Sequence, residues 1–364
     1  MKSHSQTISG CRSCGAAALK PFLDLGMMPL SDRLLTAAKL EETELTFPLE
    51  VALCEDCGLV QITETVDPKI LFADDYPYYS SFSPALLTHS RQNAFDLIER
   101  RSLTADSFII EVASNDGYLL RNYVEKGIQV LGIDPADGPA TAAEKIGVPT
   151  RRAFFTTELA QKLVENGKRA DVVHANNVLA HVADTNGFVA SIRLILKNTG
   201  VAVIEVPYLK PLIDRLEFDT IYHEHLCYFS VTALDKLFRR HDLYLNEIKH
   251  LVIHGGSLRL YVEPSERVSG SVKEQLRIES NLCMDRLEYF KDFSRRVEIL
   301  KGQVLTLLRR LKSEGKTIAA YGAAAKGATL INYLGIDLDL VDFVVDRNIH
   351  KQGKYMPGKK IPIR

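Results

Sequence analysis

A chain of 364 residues is long for one compact core, so two or three domains are expected. Its 45 basic residues against 46 acidic ones exclude the basic stripe of a nucleic-acid binder. No eighteen apolar residues run together and MKSHSQTISG carries no apolar leader, so neither a membrane span nor export is expected, and the chain reads as cytoplasmic.

Near the start, Cys11-Arg-Ser-Cys14-Gly15 and Cys54-Glu-Asp-Cys57-Gly58 repeat C-x-x-C-G. Two residues between thiolates let both sulfurs of a knuckle reach one tetrahedral ion, and the glycine supplies the positive φ of a tight turn. These four cysteines therefore predict a closed structural Zn2+ site with no open position for chemistry. Disulfides are the weaker alternative in a chain of this size without an export signal. The segment between the knuckles, with Pro21, Pro29 and Pro48, has little core of its own, so the metal is expected to hold it together. Cys227 and Cys283 stand alone and read as buried thiols.

A polar, tyrosine-rich connector follows at 74–81, where Tyr76 and Tyr79 either pack a domain joint or turn their hydroxyls toward a substrate. An amphipathic helix over 83–100 leads into the strand that organises the chain. Residues 108–112 are an apolar run around Glu111, ending in Ser114-Asn115-Asp116-Gly117 before a helix opens at Tyr118. A second strand, 130–133, ends on Asp134, and an acid at that tip commonly takes ribose hydroxyls. The turn has one glycine where a dinucleotide fingerprint needs three, so no pyrophosphate cradle is expected here. Glu111 with a late single glycine instead looks like the S-adenosylmethionine (SAM) loop of class I methyltransferases. The plain alternative is a βαβ unit without a ligand.

Alternation continues with a short third strand closing at Phe154 and Phe155, a fourth over 171–175 ending in Asn176-Asn177, and a fifth over 201–206. His181, just past the fourth strand, stands where it can face the same cleft. After the fifth strand comes Ile221-Tyr222-His223-Glu224-His225-Leu226-Cys227-Tyr228-Phe229. Two imidazoles, a carboxylate and a phenol in four positions form an acid/base set that works near neutral pH. It lacks the H-E-x-x-H spacing of a helical metal site, which disfavours that reading. A hairpin around His254-Gly255-Gly256-Ser257 and one amphipathic helix over 272–311 are expected next. The last segment opens a new α/β unit: strand 317–321, turn 322–327 (Gly-Ala-Ala-Ala-Lys326-Gly), helix 328–334, and a strand ending at Asp346. Its small residues and Lys326 fit phosphate at a helix N-terminus, or merely tight strand–helix packing. Only two strands of this unit precede Arg364, so it either completes an existing sheet or is cut short.

Taken together, the paired knuckles, the single-glycine loop, YHEHLCYFS, HGGSLR and GAAAKG resemble the SAM-dependent sugar C-methyltransferases of deoxysugar biosynthesis, over nearly the whole chain. The resemblance implies an α/β fold: a Rossmann-like class I SAM methyltransferase domain flanked by a small N-terminal zinc domain and a C-terminal α/β domain. The expected division is 1–68, 69–268 and 269–364. It implies SAM at Glu111, Asn115, Asp116, Gly117, Asp134 and Asn176, and catalysis by Tyr222, Glu224, His225 and His181. Tyr76, Tyr79 and Lys326 are expected on a nucleotide-linked (dTDP) 4-keto-deoxysugar that is methylated at C3. Ala113 departs from the family loop, which usually has glycine there, and a methyl group is tolerable only if φ is negative. An NAD-linked sugar-nucleotide oxidoreductase using the late glycine turn and Asp346, or a SAM-binding interaction protein without turnover, are the competing readings. No nucleic-acid or membrane partner is expected, and the oligomeric state, monomer included, is left open.

Overall fold

The computed structural model describes residues 4–71 and 79–364. Tyr76 lies outside the described residues. Contacts group the chain into two units, one of Asp74–Pro207 with Val231–Ile278, the other of Met1–Ala73, Tyr208–Ser230 and Glu279–Arg364. The sequence division at 68/69 and 268/269 runs along the chain and does not show that Tyr208–Ser230 leaves one unit for the other.

The first unit is built on seven strands: β1 Phe108–Val112, β2 Gln129–Ile133, β3 Thr150–Arg151, β4 Ala170–Asn176, β5 Leu196–Pro207, β6 Tyr244–Leu251 and β7 Ser257–Glu263. Their order is β6-β7-β5-β4-β1-β2-β3, with β7 antiparallel to both neighbours and the pairs from β5 through β3 parallel. Burial on both faces explains the near-continuous apolar runs of β1 and β4. The direction of winding reverses between β1 and β4, so the carboxyl ends of those two strands form the crevice where such sheets take ligands. Helix Pro84–Arg101 starts on a Ser83 cap and packs Ala94 and Leu97 against Ile109, Tyr123 and Val130.

Two expected elements differ. The third strand lies at Thr150–Arg151, ahead of Phe154 and Phe155; Phe155 meets Phe188 edge-on at 5.6 Å, so the aromatic pair serves helix packing rather than the ladder. The helix expected over 272–311 is two, Gly270–Asn281 and Leu287–Ser313, because Cys283 adopts φ +53 and ends the first. Cys283 is exposed, correcting its reading as a buried thiol, whereas Cys227 is buried.

In the second unit, strands Leu19–Pro29, Thr46–Cys54, Val60–Ile62 and Cys227–Tyr228 form one antiparallel sheet with Cys227–Tyr228 at its edge. Phe22 of this sheet stacks on Phe290 of the long helix at 4.6 Å. The terminal unit does not join a larger sheet: Ala319–Tyr321 and Phe343–Val345 pair only with each other among the named strands, with helix Ala325–Leu334 between them. That helix meets the 208–230 excursion, Thr329 Oγ1 donating to the Ile221 carbonyl at 3.0 Å and Tyr333 packing edge-on to Phe218. Among the described residues no helix is long and apolar enough to cross a membrane.

Candidate active site and metal centre

The metal ligands converge. Sγ atoms of Cys11, Cys14, Cys54 and Cys57 all lie within 4.8 Å of one another. Each knuckle turns on its glycine: Gly15 (φ +76) donates to the Cys11 carbonyl at 2.9 Å and Gly58 (φ +80) to the Cys54 carbonyl at 2.7 Å. Four thiolates this close repel one another unless a cation neutralises them, and four sulfurs complete a tetrahedral Zn2+ shell. Gln61 Nε2 and the Ser13 amide donate to Cys11 Sγ at 3.2 and 3.4 Å, the support that metal-bound thiolates need.

The cofactor loop follows β1. Ala113 and Asn115 take φ of +56 and +48, and Gly117 +76, so the chain coils sharply over the strand end. The condition for tolerating Ala113 fails: its φ is positive, and the Cβ is strained there. A Cβ on Gly117 would meet Val148, Ala143 and Ile146 at 3.1–3.3 Å, so only glycine packs flush at that point. Asp134 at the β2 tip accepts from the Asn115 and Ala136 amides at 2.8 and 2.9 Å, tying the two strand ends together. Burial raises its carboxyl while those amides pull it back. Residues 79–81 close over the loop, the Ser80 amide donating to Asn115 Oδ1 at 2.9 Å and the Ser81 amide to Asp116 Oδ2 at 3.1 Å. Tyr79 Oη lies so near Gly138 that a Cβ there would be 2.6 Å away, which puts this tyrosine beside the start of the helix Asp137–Lys145 that follows Asp134.

Several buried acceptors around the crevice lack a hydrogen-bond partner, namely Ser114 Oγ, Asp116 Oδ1 and Asn176 Oδ1, and the buried Glu111 carboxyl is met by Tyr118. Burial first, then Asp134 and Asp116, push Glu111 well above the usual carboxylate range. An ammonium and ribose hydroxyls are what such acceptors take, so the residues fit SAM; when bound, SAM supplies an electrophilic methyl group. His181 ends a short turn, Leu179–His181, past the β4 end and is half-buried.

Sequence reasoning missed a buried ion cluster in the same unit. Glu205 on β5, paired in register with Asn176, accepts from Arg259 Nε at 2.7 Å and lies 2.9 Å from His89 Nε2. His89 sits on the lead helix and Arg259 on β7, so three elements are locked at one carboxylate. Arginine and histidine separated by so much sequence gave no local signal.

The acid/base segment belongs to the unit that carries the cysteines. His225 Nδ1 lies 2.9 Å from the Thr220 carbonyl, and Tyr222 Oη lies 2.9 Å from Nε2. A carbonyl only accepts, so Nδ1–H donates to Thr220, and Nε2 lies against the Tyr222 hydroxyl. Tyr222 and His225 are half-buried, whereas His223 and Glu224 are buried. His223 Nε2 donates to the Pro48 carbonyl at 3.1 Å and packs on Phe47, a structural role. Glu224 sits near Asp32, and burial, then Asp32, pushes its carboxyl to about 7. Lys326 offsets the burial of Glu217 and Asp219, so its charge already faces two carboxylates. Asp346 accepts from the Ala323 and Asn348 amides at 2.7 and 2.8 Å, which commits it to its own turn and weakens the dinucleotide reading.

Residues 11–72 match a family described as "Putative zinc binding domain", 86–248 a methyltransferase domain, and 252–364 a C-methyltransferase C-terminal domain. C-methyltransferase NovU of Streptomyces niveus is 32% identical over 98% of this chain and 85% of its own. A ubiquinone biosynthesis O-methyltransferase of Bartonella quintana is 27% identical over 26% of this chain and 39% of its own. Among solved structures, magnesium protoporphyrin IX methyltransferase from Synechocystis PCC 6803 aligns over 49% of this chain and 79% of its own, at 12% identity and TM-score 0.38. With three consecutive domain matches and a relative that aligns almost end to end, this chain belongs to the SAM-dependent C-methyltransferase family, with a four-cysteine zinc domain ahead of its methyltransferase domain.

Proposed function

We propose that the chain methylates C3 of a nucleotide-linked 4-keto-deoxysugar, of the dTDP type, through an enolate. The observation that carries this reading is the seat of His225, with Nδ1 on the Thr220 carbonyl and Nε2 on the Tyr222 hydroxyl. With Nδ1–H engaged by the Thr220 carbonyl, Nε2 is a basic lone pair held in place by a hydroxyl that can move to another acceptor. A ketone at C4 acidifies the C3 hydrogen, so an imidazole is a strong enough base when the forming oxyanion is stabilised. His225 Nε2 takes the C3 proton while Tyr222 releases the imidazole and donates to the C4 oxygen, with His181 as the other candidate donor. Glu224, its carboxyl raised by burial and by Asp32, orients or polarises the imidazole. Glu111, Asn115, Asp116, Gly117, Asp134 and Asn176 hold the cofactor.

The test is solvent-deuterium incorporation at C3 of the keto sugar with a SAM analogue that lacks the methyl group. The parent protein is expected to exchange and His225→Ala to lose exchange with SAM affinity retained. Exchange by His225→Ala at the parent rate removes His225 as the base.

A further inference from the structure

The second zinc knuckle and the acid/base segment flank one sheet, and one residue links that sheet to the first knuckle. Gln61 is fully buried at the centre of Val60–Ile62. Its side chain donates to Cys11 Sγ at 3.2 Å and accepts from the Arg12 amide at 3.0 Å. Its backbone position pairs with Cys227, and the next amide, Ile62, donates to the Leu226 carbonyl at 3.1 Å. Arg12 adds a second tie, donating through Nη1 to the Ile62 carbonyl at 2.5 Å and through Nη2 to Thr65 Oγ1 at 2.6 Å. The strand Cys227–Tyr228 has only two residues and pairs at the sheet edge with Gln61 and Val60, while Phe229 just after it pairs with Tyr208. His225 lies two residues before that strand, and Tyr222 three residues before His225.

We propose that Gln61 is a positioning residue: it couples the four-thiolate centre to the strand that anchors Tyr222 and His225, so metal occupancy sets the order of the acid/base segment. A carboxamide donating to a thiolate orients the sulfur, and such outer-shell partners commonly change metal affinity 10- to 100-fold. The thiolate end and the strand end sit on one short buried stretch, so loosening one loosens the other. The inference rests on the reading of Tyr222 and His225 as the acid/base pair, but its structural half does not.

The experiment compares the zinc-loaded parent with Gln61→Met, which keeps length without a donor, and Gln61→Glu, which keeps the acceptor for Arg12 and loses the donor to Cys11. Three quantities are read: zinc transfer to a chromophoric chelator, amide hydrogen exchange in peptides covering 224–229 and 108–117, and the kcat and KM of methyl transfer. Both variants are expected to give up zinc about tenfold more readily. They are expected to exchange faster over 224–229 with 108–117 unchanged, and to lose kcat with SAM affinity retained. Zinc release or 224–229 exchange at the parent's level overturns the coupling and leaves the acid/base reading intact. Faster exchange with parental kcat overturns the catalytic assignment of the segment, and Gln61's positioning role with it. Should either variant fail to fold, chelator titration of the parent replaces it: exchange over 224–229 is expected to rise with the zinc removed, and exchange independent of zinc overturns the proposal.

Discussion

Tyr222 Oη lies 2.9 Å from His225 Nε2, and the same imidazole is anchored through Nδ1 to the Thr220 carbonyl two residues before the tyrosine. Phenol and base are thus held by a single loop of six residues. Removing the hydroxyl in Tyr222→Phe leaves the imidazole anchored through Thr220 but strips the group proposed to donate to the developing oxyanion. We expect kcat to fall roughly 10²-fold with SAM affinity unchanged, read by steady-state kinetics and calorimetry. Parental kcat in that variant would return Tyr222 to a packing role.

Glu224 provides a stability signature. Its carboxyl sits at about 7 in the fold against an ordinary value of 4.5, owing first to burial and then to Asp32. As pH rises from 4.5 to 7 the unfolded chain gives up this proton before the folded one, so folding stability falls across that window. The difference amounts to about 3 kcal/mol at most. Glu224→Gln removes the ionisation. Denaturant titrations between pH 5 and 7.5 are expected to show parent stability declining relative to the variant, and parallel curves would refute the raised carboxyl.

Strain at Ala113 predicts a gain. A left-handed conformation costs an alanine about 1 kcal/mol, and glycine adopts it freely. Ala113→Gly is therefore expected to raise Tm by about 2–4 °C for a unit of this size. A lowered Tm by calorimetry would count against a positive φ at this position.

The contact of Tyr79 with Gly138 can be tested by a double-mutant cycle. A methyl group on residue 138 would stand 2.6 Å from the tyrosine hydroxyl but 3.7 Å from the ring carbon bearing it. Gly138→Ala alone should displace the 79–81 segment that binds Asn115 and Asp116, weakening SAM binding by about tenfold. In a Tyr79→Phe background the same substitution should cost under about twofold. Additive losses would show that the two residues do not meet.

Much of this protein is written locally. The C-x-x-C-G repeats, the alternation of strands with helices, the single-glycine turn and Asp134 at a strand tip are short-range signals, because ligand spacing, the strand period and turn stereochemistry act over a few residues. The amino-acid sequence alone thereby determined the zinc ligands and the class of central sheet. Tertiary structure alone decided the rest. Where the imidazoles of His223 and His225 dock depended on the fold: His223 meets the Pro48 carbonyl, 175 residues away, and His225 the Thr220 carbonyl, five away. The pairing of Gln61 with Cys227 and the Glu205–Arg259–His89 cluster were equally invisible, since each joins groups distant in the chain, and the positive φ of Ala113 shows only in the folded backbone. Local chemistry names the functional groups; long-range packing sets their protons and their partners.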